Sequence, residues 1–156
     1  MTGTELTRLK ARHEIVRVAY ALYGTPYLYA GPSLKYLRGP VYFGLDCSGF
    51  AVEVLVSVGL LRAREDLSAA GLLGRFETST VGIPAFGGLV FWMDGNVADH
   101  VCITVSEEVC IGALSGDPDV TSLEEAIRRD ARVKVRPIDY RAGRRVYCDP
   151  LAKKEV

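Results

Sequence analysis

Hydrophobic positions along this chain follow a helical period in its first third and a strand-like period later. Leu6, Leu9, Val16, Ala19, Tyr20 and Tyr23 recur near helical spacing, and Gly24-Thr25-Pro26 supplies a stop, so residues 5–23 predict an amphipathic first helix. Residues 27–45 are rich in Gly, Pro and Tyr without steady period, and read as a loop. The apolar run from Phe50 to Val56 predicts a second helix over 47–61, with Asp46 as its N-cap. This helix is apolar on most faces, which places it at the centre of the fold. A short helix over 67–75 and a turn-rich passage come next.

Past residue 86 the pattern is that of strands. Three segments, 89–93, 100–106 and 109–114, are separated by the turn signals Asp94-Gly95-Asn96 and Glu107-Glu108, which predicts an antiparallel meander. Ser122 and Glu125 have capping-box spacing and open a short helix to about residue 129; two strands, 133–138 and 145–148, complete the sheet. Helices first and strands afterwards predict an α+β domain with helices packed on one face of an antiparallel sheet. No repeat, low-complexity stretch or linker divides the 156 residues, so residues 1–156 are expected to form a single domain. A hydrophobic share of 49% allows a sizeable core without metal or disulfide support.

Charge narrows the function classes. Lys+Arg and Asp+Glu both number 19, so no net field draws the chain to a phosphate backbone, and a nucleic-acid partner is not expected. Arg128, Arg129, Arg132, Lys134, Arg136, Arg141, Arg144 and Arg145 alternate with acids and apolar residues and read as a solvated face. No run approaches the ~18 apolar residues of a membrane span, and Met1-Thr2-Gly3-Thr4-Glu5-Leu6 lacks a secretion-signal pattern. The expectation is a soluble chain without membrane contact. Of the four cysteines, Cys102, Cys110 and Cys148 lie in strand-like apolar segments, where reduced cysteine is expected and a disulfide is not.

The sharpest chemical signal is Asp46-Cys47-Ser48-Gly49, which puts Cys47 at a helix start. Unpaired N–H groups and the positive dipole end there favour a thiolate, pulling a cysteine pKa into the ~3.5–7.5 range. His100, opening the alternating stretch His100-Val101-Cys102-Ile103-Thr104-Val105, is the candidate base that a thiol nucleophile needs. His100, Cys102 and Cys110 lack the close pair and fourth ligand of a zinc site, so neither metal nor cofactor is expected. The tyrosines and Trp92 read as packing residues rather than a sugar-stacking surface.

Four ordered segments carry a family resemblance: Gly24-Thr25-Pro26-Tyr27-Leu28-Tyr29-Ala30-Gly31, Asp46-Cys47-Ser48-Gly49-Phe50, Gly88-Leu89-Val90-Phe91-Trp92 and Asp99-His100-Val101-Cys102-Ile103. Together they resemble the NlpC/P60 family of cysteine peptidases, and residues 131–141 look like compact, phage-associated versions of it. The resemblance implies a papain-like α+β core and cleavage of bacterial cell-wall peptides, commonly between γ-D-glutamate and meso-diaminopimelate or lysine. It implies Cys47 as nucleophile, His100 as base and then acid, and the Cys47 N–H as an oxyanion donor. Tyr27 matches the tyrosine near the catalytic cysteine, and Asp46 and Ser48 match positions that bind the amine end of a stem peptide.

The family's third polar residue lies twelve positions past the histidine, which is Gly112 here. Glycine cannot orient an imidazole. Asp117, then Asp99, are the side-chain candidates for that role, with a backbone carbonyl or water as the alternative. Ala30 and Gly88 stand where the family usually has Gly and Asp. Three function classes follow: a cell-wall cysteine endopeptidase; a weakly active or inactive binding module, such as a phage-tail part, which Gly112 favours; and a thiol amidase or acyltransferase on another substrate. The first implies peptidoglycan stem peptide as partner, a wall-targeting or phage-tail protein to bring the chain there, and action in the periplasm or cell wall.

Overall fold

The computed structural model describes residues 1–29, 44–63 and 65–152, so most of the expected loop over 27–45 lies outside the described residues. Helix α1 spans Gly3–Ala21 and begins before the apolar pattern does, because Thr2 and Glu5 form a reciprocal capping box. Helix α2 runs Cys47–Ser57 under an Asp46 cap. It stops four residues short of the expected end at a Schellman motif: Gly59 takes φ 78°, its N–H bonds the Val56 carbonyl at 3.0 Å, and Leu60 N–H bonds the Leu55 carbonyl at 2.9 Å. Helices α3 (Ala69–Phe76) and α4 (Leu123–Arg128) fall where expected, capped by Ser68 and Ser122.

Among the described residues, six antiparallel strands form one sheet: β1 (Thr80–Val81), β2 (Gly88–Asp94), β3 (Val97–Thr104), β4 (Val109–Leu114), β5 (Arg132–Pro137) and β6 (Arg144–Cys148), in the order β1-β6-β2-β3-β4-β5. The meander β2-β3-β4 agrees with the pattern; β1 is an addition, too short to carry a period. The papain-like α+β class expected from the sequence is the one observed. Phe50, Val54 and Leu55 of α2 join Leu89, Phe91, Val101, Ile103 and Ile111 in the core between helices and sheet. Their alternating neighbours Val90, Trp92, Cys102, Cys110 and Leu114 form a second, smaller cluster with Ile138 on the other face.

Two irregularities shape the sheet around residue 100. Trp92 pairs with His100 but Met93 pairs with Ala98, so Asp99 is an extra residue, a bulge that adds twist at His100. Strands β3 and β4 are paired only at Ile103↔Ile111 and Thr104↔Cys110, although β4 stays paired with β5 as far as Leu114↔Arg132. On the N-terminal side of Ile103 in β3 the two strands therefore part. Gly88, where the resemblance leads one to expect Asp, is explained by close approach: a Cβ there would lie 2.9 Å from both the Cys148 carbonyl oxygen and Thr104 Oγ1.

A bidentate ion pair clamps α1 to the end of the sheet. Arg12 reaches Asp149 at 2.9 and 2.7 Å and also donates to the Phe86 carbonyl at 3.1 Å, and both side chains are largely buried. Removing one partner strands the other in a site with little water, a cost of about 2–3 kcal/mol after allowance for residual exposure. Urea unfolding of Asp149→Ala should show a loss of that size; a loss within experimental error of zero would mean the clamp adds nothing to stability.

Candidate active site

Cys47 is the first residue of α2 and lies where β3 and β4 part. Asp46 fixes the helix start, its carboxylate accepting from Gly49 N–H at 2.7 Å and from the Ser48 hydroxyl at 3.3 Å. The gap in the sheet leaves the Val101 N–H without a β4 carbonyl, and this N–H is directed at the Cys47 sulfur, as is that of Ser48. Cys47 is half-buried, and it shares with His100 a cleft of about 840 Å³ that also takes in Tyr27, Ser48, Asp117 and Tyr140.

His100 is 7% exposed. Its Nε2 meets the Tyr140 hydroxyl at 2.6 Å and lies 3.7 Å from Cys102 Sγ. Trp92 flanks both rings, 5.1 Å from the imidazole and 5.5 Å from the phenol, centroid to centroid. The Trp92 indole N–H also donates to the Arg141 carbonyl at 3.1 Å, anchoring the turn that carries Tyr140. With Nε2 engaged by Tyr140, Nδ1 is the other ring nitrogen through which the imidazole can exchange a proton.

The protonation states differ from the sequence expectation. Burial, reinforced by the Asp46 charge, pushes the Cys47 thiol up to about 11, outweighing the Val101 and Ser48 N–H groups and the Arg141 guanidinium. Burial and then the Arg141 charge push His100 down to about 3. Both directions favour a neutral thiol beside a neutral imidazole at rest, not a thiolate–imidazolium pair. A helix terminus contributes about 0.3–1 kcal/mol to a charge, whereas each pKa unit of desolvation costs about 1.4 kcal/mol, so burial decides.

The positions singled out in the sequence converge on this cleft, though not all in the expected way. Tyr27 is buried, with its backbone N–H on the Ala131 carbonyl at 2.9 Å and its ring against Gly116, where a Cβ would lie 2.2 Å from the ring. Asp117 lines the cleft, but its carboxylate accepts from Arg129 at 2.6 Å and from the Asp119 N–H at 2.8 Å; backbone and arginine together hold its pKa low. Asp99 pairs with Arg141 at 3.4 Å. Neither carboxylate is the group on the His100 Nε2, which is the Tyr140 hydroxyl.

Gly112 has no room for a side chain, since a Cβ would lie 2.5 Å from Cys102 Sγ. Tyr140 and Cys102 are the participants that sequence reasoning missed: a phenol forty positions beyond the histidine has no spacing rule to announce it. All four cysteines are free, and among the described residues no cluster of His, Cys, Asp and Glu is arranged to hold a metal ion. Among the same residues, no helix is long and apolar enough to cross a membrane.

Solved structures share the architecture. The P60 domain of an antigen from M. avium subspecies paratuberculosis superposes with a TM-score of 0.66 at 20% identity, covering 94% of this chain and 99% of that one. The peptidoglycan hydrolase RipB from Mycobacterium tuberculosis gives 0.66 at 20% identity over 98% of this chain and 73% of the other. RipD from Mycobacterium tuberculosis, described as a non-catalytic NlpC/p60 domain protein adapted to peptidoglycan binding, gives 0.63 at 16% identity over 89% and 96%. No curated protein matches the chain closely enough to show kinship. The NlpC/P60 family profile matches residues 24–137, a span that contains Cys47 and His100 and ends just before Tyr140. With more than two thirds of its length matched, the chain belongs to the NlpC/P60 family.

Proposed function

We propose that this chain is a cysteine endopeptidase that hydrolyses stem peptides of bacterial peptidoglycan at the bond from γ-D-glutamate to the diamino acid. The observation that carries this reading is a thiol at a helix tip sharing one cleft with a buried imidazole whose Nε2 is engaged elsewhere. In the proposed reaction, Cys47 Sγ passes its proton to His100 Nδ1 as it attacks the scissile carbonyl carbon. The Cys47 N–H at the start of α2 steadies the tetrahedral oxyanion. His100 then protonates the leaving amine, and a water deprotonated by His100 cleaves the thioester.

Substrate chemistry fits the charges of the cleft. Asp46, with Ser48 bonded to it, supplies a carboxylate beside the nucleophile for the ammonium end of a stem peptide, and Tyr27 walls the same corner. The cleft also carries Asp99, Asp117 and one guanidinium, Arg141, so it presents both signs to a zwitterionic peptide. Such a substrate is met in the periplasm or cell wall. A non-catalytic binding role, described for RipD, is the second reading, and Gly112 in place of a polar third residue is the observation that favours it.

Incubation with γ-D-glutamyl-diaminopimelate and γ-D-glutamyl-lysine muropeptides should release fragments, and Cys47→Ala should lower the rate by at least roughly a thousandfold. No cleavage by the wild type, or cleavage undiminished in Cys47→Ala, would sink the proposal and leave the binding role.

The pH profile gives an independent check. Protonation of His100 removes the base, and because its pKa is lowered, activity should persist as pH falls below the ~6.5 of an ordinary imidazole. Because the Cys47 pKa is raised, the alkaline limb should lie above the usual thiol range. A broad plateau of kcat/KM across neutrality is expected, whereas a narrow bell with its acid limb at or above ~6.5 would contradict the neutral pair.

A further inference from the structure

The vacancy at position 112 is coupled to two other residues. Cys102 on β3 turns its sulfur into the space that a side chain at 112 would need, 2.5 Å from where that Cβ would stand. The same sulfur lies 3.7 Å from His100 Nε2, in a pocket it shares with the Tyr140 hydroxyl and the Cys110 thiol. Tyr140 ends the short 3-10 turn Ile138–Tyr140 that follows β5. This turn is held from below by Ile138 in the second core cluster and from the side by the Trp92 indole bond to Arg141. Gly112, Cys102 and Tyr140 thus form one compensated set: the thiol occupies the usual place of the third side chain, and a hydroxyl arrives from the next turn of the chain.

Hydrogen-bond direction gives the set its chemical meaning. The thiol of Cys102 is fully buried, with its pKa raised by burial, and Tyr140 likewise has its pKa raised by burial, so both are neutral groups. A tyrosine that donates its one proton to Cys102 Sγ presents only oxygen lone pairs to His100. His100 can then meet it only as an Nε2–H donor, at the short 2.6 Å observed. A neutral imidazole with its proton on Nε2 has a bare Nδ1, the form a base must take.

We propose that Tyr140 is the positioning residue for His100, accepting from Nε2–H while donating to Cys102 Sγ, so that the imidazole is held in the tautomer with Nδ1 unprotonated. The role rests on the reading of Cys47 and His100 as nucleophile and base. It differs from a carboxylate orienter in one respect: a neutral phenol fixes tautomer and orientation without stabilising the imidazolium by charge.

Tyr140→Phe removes the hydroxyl and keeps the ring that packs on Trp92, so the fold should survive with an unchanged thermal midpoint. In the intact chain, kcat on muropeptide should fall by about 10- to 100-fold with KM changed by less than about twofold. Nitrogen-15 NMR of His100 should show the wild type with a protonated Nε2 and a bare Nδ1, and Tyr140→Phe with the two tautomers mixed. Cys102→Ala, which removes the acceptor of the tyrosine proton, should shift the tautomer balance in the same direction with a smaller loss of kcat. Wild-type kcat in Tyr140→Phe, an Nδ1-protonated imidazole in the wild type, or an inactive Tyr140→Phe that keeps the wild-type tautomer would each overturn the assignment. If the wild type cleaves no muropeptide, the endopeptidase reading fails by itself, and the NMR tautomer still decides the role of Tyr140.

Discussion

The parting of β3 from β4 on the N-terminal side of Ile103 is the constraint on which the site depends. A sheet with a complete ladder would commit the Val101 N–H to a β4 carbonyl and leave no opening for a helix tip. Because pairing ends at Ile103↔Ile111, the first turn of α2 enters the gap, and the Val101 N–H is directed at the Cys47 sulfur. The bulge at Asp99 adds twist at the adjoining residue, His100. Cys47 and His100 are therefore placed by rigid elements, α2 anchored in the main core and β3 bonded to β2, rather than by loops.

The same enclosure sets the electrostatics. Water is excluded from a histidine that is 7% exposed, and an acid, Asp46, sits beside the thiol. Those two facts oppose formation of both charges of an ion pair at rest. In the proposed reaction, charge separation is then deferred until a substrate carbonyl is present to receive the sulfur, with the Val101 and Ser48 N–H groups already directed at that sulfur. Under that proposal the donors stand ready for a state that exists only during reaction, which is the general logic of electrostatic preorganisation.

Much of this was legible in the sequence where a local rule applies. Asp46 before an apolar run marked the start of α2, Ser122 with Glu125 marked α4, and the alternation through 89–114 marked the meander. Gly59 carries a C-cap signal that the apolar run past it conceals, so the sequence pattern predicts α2 four residues too long. Sequence shows only the helix tip that favours ionisation of Cys47; burial depends on which strands pack around that tip, and no window of sequence contains them. The partner of His100 was the least accessible feature. Asp117 and Asp99 are closer in sequence and more polar, yet Arg129 and Arg141 hold their carboxylates, and the contact is made by a tyrosine brought over by β5 and its following turn.

The central claim is that enclosure keeps Cys47 and His100 uncharged until substrate arrives. The most direct measurement is a pH titration of thiolate ultraviolet absorbance in the wild type against Cys47→Ser, repeated with His100→Ala. No thiolate attributable to Cys47 is expected through neutral pH, only on the alkaline side of the ordinary thiol range. A thiolate already present at mildly acidic pH, and abolished by His100→Ala, would show a resting ion pair and contradict it.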